Sequence, residues 1–62
     1  MNVPVKDIIY SIWNPLTHDV VLNTPIKKEA IKVYEQNALR PILEVWKIVT
    51  TGDGYNEHIR LR

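Results

Sequence analysis

Sixty-two residues with no cysteine, and eight Lys and Arg against seven Asp and Glu, give a net charge of +1. They predict one domain, 1–62, and exclude disulfides and thiolate metal sites. Hydrophobic content of 45% is that of a globular chain, no apolar run approaches the roughly 18 residues of a membrane span, and dedicated nucleic-acid binders are usually far more basic.

A chain this short buries only about 60% of the surface it exposes when unfolded, so a second chain is the readiest source of added stability. The opening MNVPVKDIIYSIW sets Lys6 beside Asp7 and has no small-residue cleavage site. The expectation is a complete small cytoplasmic gene product without a signal peptide.

The first segment, VKDIIYSIW, is rich in β-branched and aromatic residues and stops at Asn14-Pro15, a turn signal. DVVLN follows after PLTH, so the two runs predict a hairpin. On an Ile12–Val20 register, Ile8, Tyr10, Ile12, Val20 and Leu22 share one face. Ile9, Ser11, Trp13 and Val21 share the other.

NTPIKKEAIKVYEQNA predicts a helix. Thr24 is the expected N-cap, with Pro25 at the first helical position, where no N–H is needed. Ile26, Ala30, Val33 and Tyr34 form an apolar stripe at helical spacing, with Ala38 at its edge. Asn37 suits a left-handed helix end, and Arg40-Pro41 bars continuation.

ILEVWKIVTT reads as a strand because of its β-branched residues. Asp53-Gly54 predicts a two-residue turn with positive φ at both positions. That turn pairs Thr51 with Asn56, Val49 with His58, Ile48 with Ile59, Lys47 with Arg60 and Trp46 with Leu61. Trp46, Ile48, Ile59 and Leu61 would then lie beneath the helix, and Lys47, His58, Arg60 and Arg62 on the reverse.

The expected fold class is α+β: a β-β-α-β-β layout with one helix on one face of an antiparallel sheet. The opposite face would expose Ile9, Trp13, Val21, Leu43, Val45 and Val49; the competing reading is that the sheet twists and Met1, Val3 and Val5 fold back to cover part of it. Lys47, His58, Arg60 and Arg62 would rim it, with Asp7 and Asp19 on the other hairpin. An apolar centre with a charged rim is the anatomy of a protein–protein surface. The expected partner-binding residues are therefore Ile9, Trp13, Val21, Val45, Lys47, Val49, His58, Arg60 and Arg62.

Nothing in the sequence arranges Ser11, His18 and Asp19 as a catalytic unit, since adjacent strand residues point to opposite faces. GDG has neither phosphate-loop nor dinucleotide spacing. His18 and His58 lack the spacing of a helical metal pair. No enzyme, metal or cofactor is expected. Thr24, Lys27 and Lys28, beside the free N–H groups of the helix start, form a weak candidate anion site.

The function expected from these readings is a non-enzymatic protein–protein interaction module. It would be a regulator or inhibitor of a larger bacterial or phage-system protein, of host-factor-inhibitor, antitoxin or anti-defence type. The partner would present an acidic surface, and a homodimer through the same face is compatible. A nucleic-acid binder using Trp13 and the basic strand face is the first alternative. A structural subunit of a homo-oligomeric assembly is the second.

Overall fold

The computed structural model describes residues 4–62; the cover expected from Met1 and Val3 lies outside the described residues. Strands β1 (Val5–Asn14) and β2 (Asp19–Thr24) lead into helix α1 (Lys27–Gln36). A short 3-10 turn (Arg40–Ile42) then joins β3 (Glu44–Thr51) and β4 (Asn56–Arg60). The four strands form one antiparallel sheet in the order β2-β1-β3-β4, and α1 packs on it. The small α+β layout is the one expected.

Alternation along β1 sends Ile8, Tyr10 and Ile12 to the helix side and Ile9, Ser11 and Trp13 to the other. Tyr10 pairs with Thr24 and Ile12 with Leu22, but Trp13 pairs with Val20. The β2 strand therefore carries one extra residue, Val21, at a bulge. That bulge brings Val20, rather than Val21, to the side of Trp13.

The helix begins later than expected. Thr24 is committed to β2, so Ile26 stands at the N-cap with φ −106° and ψ 108°. The Thr24 hydroxyl still serves the junction: it accepts from the Ile26 N–H at 3.2 Å and donates to Glu29 Oε2 at 3.5 Å. Asn37 ends the helix in extended rather than left-handed backbone, φ −85° and ψ 132°. Its Oδ1 accepts from the Leu39 N–H at 2.8 Å, so a side-chain turn replaces the left-handed cap. Ala38 falls in that turn, off the stripe, and Ile26 is exposed.

The core is Ile12, Ala30, Leu43 and Val45, with Tyr10, Leu22, Ile31, Val33, Tyr34 and Leu61 packed around it. Leu43 and Val45, expected on the open face, are thus beneath the helix. Ile8 and Val49 lie on the same side of the sheet as this core but outside it. The molecule measures 42 × 22 × 14 Å, with the helix over one end of a thin sheet.

Pairing of Val45 with Ile12 turns that side of β3 under the helix, and the side that β4 presents is set by the β3–β4 turn. Among the described residues, positive φ occurs only at His18 (61°) and Gly54 (88°), so Asp53 is not left-handed. The Gly54 N–H donates to the Thr51 carbonyl at 3.0 Å and the Thr51 N–H to the Tyr55 carbonyl at 2.9 Å. This is a three-residue connection of Gly52, Asp53 and Gly54, with one left-handed glycine. The Asp53 carboxylate accepts from the Thr51 hydroxyl and from the Tyr55 N–H, which holds its pKa below the ordinary 3.8.

An odd loop slips the register by one residue and turns β4 over. Thr50 pairs with Asn56, Val49 with Glu57, Ile48 with His58, Lys47 with Ile59 and Trp46 with Arg60. The expected Lys47–Arg60 pair does not form. Gly54→Ala is expected to cost about 1–2 kcal/mol, the penalty for a left-handed residue with a Cβ. Nothing lies within 4 Å of the added Cβ, so the loss is conformational alone. Urea denaturation should show it with far-UV circular dichroism unchanged.

Candidate protein-docking face

With β4 turned over, the side of the sheet away from the helix is laid out in cross-strand rows. Val20, Trp13 and Glu44 form one row, Ser11, Trp46 and Arg60 the next, and Ile9, Ile48 and His58 the third. Ser11, Trp13, Val20, Trp46, Ile48 and His58 line a groove of about 280 Å³.

Glu44 organises this face. Its Oε1 accepts from the Trp13 indole N–H and from the Trp46 indole N–H, each at 2.9 Å. Its Oε2 lies 3.5 Å from Arg60 Nη1. The chain's two tryptophans thus hang from one carboxylate oxygen. Their only polar atoms are satisfied within the protein, and the apolar rings are left to line the groove.

The indole of Trp46 and then that of Trp13 hold the Glu44 pKa below its ordinary 4.5; partial desolvation opposes them and Arg60 adds to them. A depressed folded value means that the stabilisation is present above the unfolded pKa. It is lost as pH falls through the folded value. The near-UV circular dichroism of the two indoles should therefore persist below pH 4.5 and collapse only at stronger acid. Glu44→Ala should abolish that signal at neutral pH while far-UV dichroism is retained. An unchanged near-UV spectrum would refute the shared-carboxylate arrangement.

The loop before Val20 is held rigidly beside the groove. Asn14 Oδ1 accepts from the Leu16 N–H at 2.9 Å, and the His18 N–H donates to the Asn14 carbonyl at 2.8 Å. His18 stacks at a tilt on Trp13, with ring centroids 5.7 Å apart.

Of the residues expected to bind a partner, Ile9, Trp13, His58 and Arg60 do meet on the open face. Val21 is exposed at the bulge and does not line the groove. Val45 is fully buried under the helix and is corrected to a core residue. Lys47 and Val49 move to the helix side, because they alternate with Trp46 and Ile48. Arg62 lies past the end of β4, where its backbone N–H meets the Val45 carbonyl at 3.4 Å.

At the helix start, the Glu29 carboxylate already meets the Thr24 hydroxyl, so an anion beside exposed Lys27 and Lys28 would face a like charge. Among the described residues, no group of three His, Cys, Asp or Glu is placed to hold a metal ion.

Sequence reasoning missed Trp46, Ile48, Val20 and Ser11 as groove residues and Glu44 as their organiser. Alternation sets Glu44, Trp46 and Ile48 on one side of β3 whatever the turn does, but which side that is depends on the pairing of β3 with β1. No protein-family model matches the chain, and neither the curated proteins nor the solved structures yielded a similar one. Among the described residues, no helix is long and apolar enough to cross a membrane.

Proposed function

We propose that the protein is a non-enzymatic binding module that covers a site on a larger protein with its open sheet face, regulating or inhibiting that target by steric occlusion. The observation that carries this reading is the pair of tryptophans bracketed by Glu44 around an apolar groove on the side no helix covers. Tryptophan is enriched among residues that dominate binding energy, and it acts best when held rigid in a well-packed, desolvated patch. Size and composition suit a regulator from a bacterial or phage system.

The electrostatics refine the partner. Lys47 faces the helix side and Arg60 is engaged by Glu44, so the groove itself is nearly neutral. Apolar side chains of the target enter the groove. Acidic residues of the target meet His58, Arg60 and Arg62 along the β4 margin, where they steer and register the complex. The test is capture from a host lysate by the wild-type protein and by a folded Trp46→Ala variant, compared by mass spectrometry. A target retained equally by both would overturn the reading.

Two indoles beside Arg60 also favour base stacking as a second reading. Against it, the Glu44 carboxylate sits between those indoles and repels phosphates. A single-stranded oligonucleotide is expected to leave tryptophan fluorescence unchanged even at low salt. Quenching that weakens log-linearly with salt would instead establish nucleic-acid binding.

A further inference from the structure

We infer that a second copy of this chain covers the open face when the target is absent, so that the protein is stored as a weak, reversible two-fold dimer. This rests on the docking reading above and names the occupant of the same face at rest.

Three observations carry it. The first is area. The accessible surface is 4606 Å² for 7.3 kDa, whereas size scaling gives about 4,200 Å² for a compact monomer of that mass. Among the described residues, only Ile12, Ala30, Leu43 and Val45 form the buried apolar core. The chain thus leaves about a tenth more surface in water than a compact monomer of its mass. Its broad side, 42 by 22 Å, is just large enough for the roughly 800 Å² per partner of a standard interface.

The second observation is charge. A two-fold interface presents one surface to itself, so any net charge on it meets its like. Beside the groove Glu44 and Arg60 neutralise one another, and Arg62, past the end of β4, adds a positive charge at the margin. Asp7, paired with Thr50 in the next row on that side after Ile9, Ile48 and His58, adds a negative charge that offsets that of Arg62. Such a face meets a copy of itself without repulsion.

The third is shape. Val20, 57% exposed, lines the groove across from Trp13, and Leu16, 72% exposed, lies in the loop that joins their strands. The chain thus carries an apolar hollow and projecting apolar side chains on one surface, the self-complementarity that an isologous contact needs.

Storage in this form has a regulatory meaning. The target must displace one copy to bind the other, so the apparent affinity for the target falls as the protein becomes concentrated.

Sedimentation velocity over a wide range of protein concentration tests the inference. Wild type is expected to pass from monomer to dimer as concentration rises, with tryptophan emission shifting to the blue as the indoles lose water. Trp46→Ala is expected to remain monomeric at the highest concentration. Val20→Glu, at an exposed position that leaves the core untouched, serves as a second variant: it sets a carboxylate at the rim of the apolar groove that the dimer must bury, and it too should remain monomeric.

A wild type that stays monomeric throughout overturns the inference. A dimer that persists in both variants, or a larger assembly, overturns it as well. The two readings fail separately: a strictly monomeric wild type whose target capture is lost on Trp46→Ala sinks the dimer alone. A concentration-dependent dimer lost in both variants, with target capture unaffected, sinks the docking role alone.

Discussion

Trp46→Ala is expected to weaken target binding by about 30-fold or more, some 2 kcal/mol, which is the usual loss on truncating a central tryptophan anchor. Trp46 is the better choice than Trp13 for this test. It lies on β3, between β1 and β4, so its ring stands near the middle of the face, whereas Trp13 borders the loop. The side chain is only half-buried in the free protein, so truncation removes less from the fold than from a complex. Glu44 retains the Trp13 N–H and Arg60 as partners, so no charge is orphaned. Isothermal titration against the captured target gives the affinity, and far-UV circular dichroism confirms that the domain is folded. Wild-type affinity in a folded variant would remove the open face from the binding account.

The second large effect is on stability. Ile12→Ala is expected to destabilise the domain by about 2–5 kcal/mol, the range for deleting a buried isoleucine or leucine side chain. Ile12 is wholly buried, paired with Leu22 on one side and Val45 on the other. Total stability scales at roughly 0.05–0.15 kcal/mol per residue, so a domain of this size has about 3–9 kcal/mol to lose. The variant should therefore be largely unfolded near body temperature, or melt far below wild type in a urea or thermal series. Ile48→Ala is the control, a similar deletion on the open face at a half-buried site. It should cost clearly less, and equal losses at the two positions would mean that the two sides of the sheet are covered alike.

The sequence carried much of this fold because alternation within a strand does not depend on how the strand is paired. Ile9, Ser11 and Trp13 could be placed together from spacing alone, and the helix was plain from its apolar stripe. The relation of one strand to the next depends on the turn, and there a single residue decides. GDG can close a hairpin as Asp53-Gly54 with both residues left-handed, or as a longer loop with Gly54 alone. The Thr51 hydroxyl and the Tyr55 N–H both bond to the Asp53 carboxylate, which favours the longer form. That choice turned β4 over, so His58 and Arg60 face Ile48 and Trp46 instead of Val49 and Lys47. Val45 was misplaced for a different reason: the side of β3 that meets the helix is set by its pairing with Ile12, a contact between segments more than thirty residues apart.

Because the helix lies over one end of the sheet, backbone protection should be uneven along each strand. Amide hydrogens around the Ile12–Val45 pair should exchange with deuterium slowest, and those toward the Thr51–Tyr55 turn fastest. That end, with Ile8 and Val49 on one side and Ile9 and Ile48 on the other, should then be the part of the sheet that adjusts most to the contour of whatever it meets.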